Sequence, residues 1–294
     1  MTAGWAASGP DPGRSEPGPL PFYYDLYTFR GSGGRTAVIA AFAVPAGSLE
    51  QKEVESDVRY RFDVTLVVAD TALRSVSRSD DSVFVDFPRP LRDQHLLFTH
   101  VEVLAPPSTA TVQRVIMTDA STPGVGQLYD SAFPIPDYSG TQLMLSDIAL
   151  GMPGVHGGWK RGDVTLALLP TSQFPASAFD VYYEIYNLPA EHAYATEIFV
   201  ERLDDSDPAR ATDDTPVRLR FSGESAARPD GSLPELRHVA ASLDRGRYRI
   251  TVVIEDELTG ETASRSRVFE VRGWERGATL VPALPRRTQS GRSR

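Results

Sequence analysis

The sequence contains no cysteine in 294 residues, which excludes disulfides, thiolate metal centres and cysteine nucleophiles together. Lysine occurs only at Lys52 and Lys160, so the positive charge is almost entirely arginine, and asparagine occurs only at Asn187. That usage reads as the coding bias of a GC-rich bacterial genome. Asn187 is followed by Leu188-Pro189, so no N-glycosylation acceptor exists. No run approaches the ~20 apolar residues of a membrane helix, so no transmembrane segment is expected. The opening Met1–Gly9 lacks the basic and apolar regions of a signal peptide. By that reading the protein is cytoplasmic or the chain starts after its leader. With a net charge of −9, a pI near 5.1 and no basic cluster in the body, nucleic acid is not an expected partner. Long amphipathic helices are missing as well. The best helical window, near Ala46 to Val54, supports a single turn.

What remains is short apolar runs punctuated by Gly, Pro, Asp and Ser. Between Asp57 and Asp70, Val58, Tyr60, Phe62, Val64, Leu66 and Val68 alternate with polar partners such as Arg59 and Arg61. A period of two held this long is a strand with one dry face. The pattern returns at Phe179–Tyr186, at Tyr248–Ile254 and at Glu261–Val271, the last two forming a hairpin around Asp256–Gly260. Phe62, Leu66, Val181, Ile185, Ile250 and Val252 are the expected core, with Arg59, Arg61, Glu184 and Arg249 outside. Tyr248, two residues after Gly246, is read either as a corner tyrosine bonding back to a loop carbonyl or as a plain core aromatic.

The chain is long for one domain. The expected fold is all-β: two tandem immunoglobulin-like antiparallel β-sandwich domains with flexible termini. The expected segments are a disordered arm (1–20), a first sandwich (21–150), a second sandwich (151–272) and a Pro/Arg-rich tail (273–294). Leu143–Leu150 reads as a strand leaving the first sandwich, followed by a glycine-rich link from Gly151 to Gly158.

Four segments carry a resemblance: Phe22-Tyr-Tyr-Asp25, Leu145-Ser-Asp-Ile-Ala-Leu150, Val181-Tyr-Tyr-Glu-Ile-Tyr-Asn-Leu188 and Gly246 to Asp256. Together they resemble the β-sandwich region of GWxTD-domain-containing bacterial proteins, named for a Gly-Trp-x-Thr-Asp motif. The motif itself is absent, since Gly158-Trp-Lys-Arg161 and Gly273-Trp-Glu-Arg276 share only its first two residues. The resemblance implies a sandwich fold and an extracytoplasmic location, and it transfers no catalytic residue.

Chemistry-bearing residues are present without a recognisable arrangement. His95, His100, His156, His192 and His238 are dispersed and form no metal-binding pair motif. No nucleophile elbow, phosphate loop or dinucleotide fingerprint occurs. The acidic loop Asp204, Asp205 and Asp207, with Asp213-Asp214 behind it, offers the oxygen ligands Ca²⁺ prefers but lacks the EF-hand pattern, and so reads first as a solvated loop. Arg161-Gly162-Asp163 reads as a turn. Tyr23, Tyr27, Tyr182, Tyr186 and Tyr194 fall beside or opposite the apolar stripes. They mark a binding face for sugar rings or a protein, or else cover an interdomain contact. These observations predict no cofactor and no catalytic set. The leading function is a non-catalytic binding or scaffolding protein that contacts another protein, with a carbohydrate-binding module second and a hydrolase with an unrecognised site third. The main concavity is expected between the sandwiches, lined by aliphatic, Tyr and Arg side chains.

Overall fold

The computed structural model describes residues 20–122, 125–152, 158–171, 178–204, 207, 210–212, 217–226, 230–241, 243–271 and 280–283. They build four β-sheets. The first sheet runs β1 (Tyr23–Arg30), β2 (Thr36–Pro45), β6 (Leu96–Ala105) and β19 (Leu280–Pro282). The second holds β3 (Gln51–Val54), β4 (Asp57–Asp70), β5 (Val76–Phe87), β7 (Thr111–Asp119) and β8 (Gly126–Ala132). The third holds β9 (Met144–Leu145), β10 (Ala149–Met152), β11 (Trp159–Arg161), β12 (Val164–Leu168), β13 (Phe179–Tyr186) and β16 (Ser232–Val239). The fourth runs β15 (Val217–Glu224), β14 (Ala193–Arg202), β17 (Gly246–Asp256) and β18 (Thr262–Val271). Every strand pairing is antiparallel except that of β19 with β6. A 3₁₀ turn forms at Ala46–Ser48, in the window where the sequence supported a single turn.

The alternating stripes fold as their periodicity dictates. In β4 the six apolar residues from Val58 to Val68 are buried while Arg61 is exposed. They meet Val38, Phe42, Val101 and Val103 of the first sheet in one core. A second core lies between the third and fourth sheets, where Val181 and Ile185 meet Ile198, Ile250, Val252 and Phe269. All six core residues expected from the sequence are buried. Tyr248 combines its two readings: the ring packs in the second core, stacked on Phe269, and its hydroxyl donates to the Asp244 carbonyl at 3.0 Å.

A third apolar cluster joins these two. Tyr27, Phe29, Ile39 and Ala41 of the first sheet pack on Ala149, Trp159, Leu166 and Tyr182 of the third. Phe29 stacks on the Trp159 indole with ring centroids 5.0 Å apart. The sheets therefore stack in four layers, second–first–third–fourth, and the two inner ones are covered on both faces where they meet. This explains β2, which is buried from Thr36 to Val44 without alternation. It also corrects the expectation for Glu184. The register of β13 is as expected, but the far face meets the first sheet, so Glu184 is only 1% exposed. Arg59 and Arg249 are part-exposed.

Two chain segments lie elsewhere than expected. Met144–Leu145 and Ala149–Met152 pair with β13 in the third sheet, so the chain has left the first sandwich before Leu143. Leu280–Pro282, in the expected tail, lies along β6. Residues 1–19, 153–157, 272–279 and 284–294 lie outside the described residues. The Arg161-Gly162-Asp163 turn forms as expected, with Gly162 at a φ of 58° that favours glycine.

Candidate functional site

The densest polar chemistry sits between the first and third sheets. β13 places Tyr182, Glu184 and Tyr186 at alternate positions, so all three face the first sheet. Both tyrosine hydroxyls donate to the Glu184 carboxylate, Tyr182 at 2.7 Å and Tyr186 at 2.6 Å. Arg161 of β11 completes the set as a bidentate donor, Nε to Oε1 at 2.6 Å and Nη2 to Oε2 at 2.8 Å. The same guanidinium reaches the Arg30 carbonyl at 2.6 Å, and the Arg30 side chain lies 4.2 Å above the Tyr186 ring. Burial and the neighbouring Glu184 carboxylate push the Tyr186 hydroxyl well above its ordinary range, so it stays a donor. Burial alone would lower the Arg161 pKa, but Glu184 more than offsets it and holds the guanidinium charged.

A second set surrounds Asp147, in the link between β9 and β10. Its carboxylate accepts from the Thr28 amide at 3.2 Å, from Arg265 at 3.1 Å and from Arg267 at 3.0 Å. Arg267 also spans to Asp25 at 2.9 Å and stacks over Tyr27 at 4.3 Å. Burial works to raise the Asp147 carboxyl, yet Arg267 and Arg265 hold it below the usual carboxylate range. Arg267, Asp147 and Asp25 come from three stretches of the chain, so this set staples the two sandwiches rather than either one alone. Ion pairs desolvated this far and this well hydrogen-bonded cost several kcal/mol to break from one side.

A groove of about 410 Å³ opens where β5 and β6 of the first sandwich meet β11 of the second. It lies between the sandwiches, as expected, but Asp80, Asp81, His100, Glu102 and Lys160 line it instead of aliphatic, Tyr and Arg side chains. β6 is an inner strand whose second face reaches this rim and brings His100 and Glu102 to it. The lining groups are partly engaged. Asp80 is bridged by Arg78 at 2.8 Å and bonded by Thr65 at 2.6 Å, and Glu102 accepts the Trp159 indole N–H at 3.2 Å. Burial depresses the His100 imidazolium to about 4 and raises the Asp81 carboxyl.

The remaining histidines make pairs. His192 Nδ1 lies 2.9 Å from Asp256, and Thr259 Oγ1 donates to that carboxylate at 2.8 Å rather than to the imidazole. Asp256 also accepts the Leu258 amide at 2.9 Å, so it caps the β17–β18 turn. Burial works to raise its carboxyl, but the bonds from His192, Thr259 and the turn amides lower it to about 2. His238 sits 2.9 Å from Asp180 on the adjacent strand at an exposed site. His95 lies 3.0 Å from the Arg92 carbonyl, and His156 lies outside the described residues.

The tyrosine face is not formed as a surface. Tyr27, Tyr182 and Tyr186 are buried at the inner interface, Tyr194 is buried with its hydroxyl on Glu235, and Tyr23 is half-buried. Both faces of the inner strands are covered, and the interdomain alternative describes Tyr27, Tyr182 and Tyr186. Of the acidic loop, Asp204 and Asp207 form a turn through Arg210, while Asp205, Asp213 and Asp214 lie outside the described residues. No three His, Asp or Glu side chains gather around a common metal position among the described residues. Of the large exposed apolar side chains among the described residues, Val76, Val112 and Leu128 lie on the outer face of the second sheet, while Leu73, Leu236 and Leu258 lie elsewhere. Val76 (57%) and Val112 (36%) flank Ala69 in one row, with Leu128 (42%) beside Ile116 farther along. Between the two rows runs a charged one, in which Arg78 and Arg114 flank Val67 and Arg114 pairs with Asp130 at 3.4 Å.

No family model matches the chain, and no curated protein does. Among solved structures the chain is similar to red sea bream transglutaminase, at 11% identity and a TM-score of 0.25 over 85% of this chain and 31% of that one. A putative beta-galactosidase from Bacteroides fragilis is similar at 9% identity and a TM-score of 0.27, over 84% and 34%. The chain spans about a third of the length of the solved chains it matches.

Proposed function

We propose that this chain is a non-catalytic β-sandwich scaffold that presents the outer face of its second sheet to another protein. The observation that carries this reading is how the polar groups are spent. Glu184 with Arg161, Tyr182 and Tyr186, and Asp147 with Arg265 and Arg267, spend their polar atoms on one another at the joint, stapling two sandwiches into one block. The outer face of the second sheet then presents exposed Val76, Val112 and Leu128 interleaved with Arg78, Arg114 and Asp130, a mix of apolar and charged groups suited to a protein contact. The carbohydrate alternative loses its tyrosines to the interior, and the exposed large hydrophobics among the described residues include no aromatic ring. The likeness to the β-sandwich region of GWxTD proteins supports an extracytoplasmic accessory role.

The test is proximity labelling in source cells with the unaltered chain and with Val112→Asp/Leu128→Asp. A protein enriched by the first and lost by the second, at unchanged melting temperature, is the expected result. Equal enrichment by both, or retention on a polysaccharide gel that the double variant preserves, counts against this face.

A further inference from the structure

The pairing of β19 with β6 differs from every other in the described chain: it is parallel, three residues long, and joins the tail to the first sandwich. β2 covers one edge of β6 along its whole length, from Thr36 against Ala105 to Pro45 against Leu96. On the other edge the two halves of β6 differ. The far half is closed by β5, with Ser77 Oγ donating to the Leu104 carbonyl at 2.8 Å. At Leu96–Phe98 that edge is covered by Leu280–Pro282. These β6 residues are buried, Leu97 in the first core and Leu96 and Phe98 in the cluster on the opposite face, so bare backbone N–H and C=O groups there would be costly. The tail satisfies them. Leu280, Val281 and Pro282 lie opposite Leu96, Leu97 and Phe98, and the Ala283 amide donates to the Phe98 carbonyl at 2.9 Å. Ala283 itself is 1% exposed within the first core, and Val281 packs against that core. Pro282 has no N–H, so the new outer edge cannot continue the ladder.

A site that pairs backbone along a short edge and seats a small side chain in a core pocket is a strand-addition site. Its occupant here is joined to β18 only through residues 272–279, is short, and uses the parallel geometry that is weaker per residue. We infer that the edge of β6 at Leu96–Phe98 is a strand-docking site. The chain fills it with its own Leu280-Val-Pro-Ala283, and it accepts the same segment from a second copy by exchange of tails. This surface is separate from the outer face of the second sheet, and the variants that test one leave the other untouched.

The probe is a fluorescent peptide of residues 277–286, offered to the full chain carrying Ala283→Asp, which expels the resident strand, and to a chain ending at Val271. The peptide is expected to bind both variants, to raise their melting temperatures saturably, and to bind the unaltered chain at least about tenfold more weakly, because the resident strand competes. A peptide with Val281→Asp should not bind. Folded variants that ignore the peptide, or that take both peptides alike, overturn the inference. So do variants that stay unfolded in excess peptide, because an exchangeable strand supplied from outside restores the fold.

Discussion

The outer and inner sheets of this protein are written in different patterns. β4 and β17 belong to outer sheets and alternate in burial over Val58–Val68 and Tyr248–Ile254, with mostly polar residues on the outward face. β2 and β13 belong to inner sheets and are buried almost throughout. An outer strand can discard charge into water on its second face. An inner strand must either be apolar on both, as β2 is, or bring partners for each polar group, as β13 does for Glu184. The two buried carboxylates then differ in kind. Glu184 balances one arginine and two hydroxyls, whereas Asp147 balances two arginines, of which Arg267 also bonds Asp25. Stacking sandwiches face to face thus turns strand polarity from a solvent problem into a pairing problem.

The comparison is broken or kept by aspartate substitutions at neighbouring positions. In the inner strand β2, Val38→Asp and Ile39→Asp should both unfold the chain, since each buries an unpaired charge at a cost of several kcal/mol. In the outer strand β4, Leu66→Asp should do the same while Val67→Asp costs about 1 kcal/mol or less. Chemical denaturation reads this directly, and an Ile39→Asp variant as stable as Val67→Asp would refute two-sided burial. The second sandwich offers the same contrast in Ile250→Asp against Val253→Asp.

Next in size is the Glu184 pair. Arg161→Met leaves a buried carboxylate held only by tyrosine hydroxyls and should cost about 3–5 kcal/mol. Adding Glu184→Leu should return most of that, because no charge is then stranded. A double variant less stable than Arg161→Met would show that the pair is worth more than its desolvation.

The effect of pH is smaller and has two parts. His100 is held neutral to about 4 in the folded chain and titrates near 6.5 when unfolded. Between those values the unfolded chain binds more protons, so stability declines as pH falls from about 7 to 4. His100→Gln should flatten that slope, and an NMR titration should place the His100 midpoint near 4. Asp256, lowered to about 2, contributes stability above about 4 that is lost as pH falls toward 2. Asp256→Asn should therefore narrow the gap between melting temperatures at pH 4 and pH 2. The smallest expected change is Tyr248→Phe, which keeps the ring in its core and removes the bond to Asp244. It should cost about 1 kcal/mol, and no loss would mean that water replaces the carbonyl.

How much could be read beforehand follows the same division. The stripe from Val58 to Val68 and that from Tyr248 to Ile254 were legible because each has one wet face, and a period of two then names both the strand and its buried side. Glu184 was read as facing water, and Tyr182 and Tyr186 as either a binding face or the cover of an interdomain contact, since nothing local distinguishes a polar residue facing water from one facing an arginine on another strand. The unbroken run from Ala37 to Val44, a signal of burial on both faces, was the clue available. Arg265 and Arg267 carried no comparable signal. They alternate on β18 as solvent-facing residues do, and only the approach of Asp25 and Asp147 gives them partners.

By itself the sequence determined the striped strands, which of their residues point inward and six residues of the two cores, because alternation and turn residues act over a few positions. The tertiary structure decided that the sandwiches stack through their inner sheets, that the tyrosines close the joint instead of facing a ligand, and that the tail completes the edge of β6. Those outcomes depend on which faces meet across more than a hundred residues of chain, and burial and pairing at that range leave no periodic trace in the sequence.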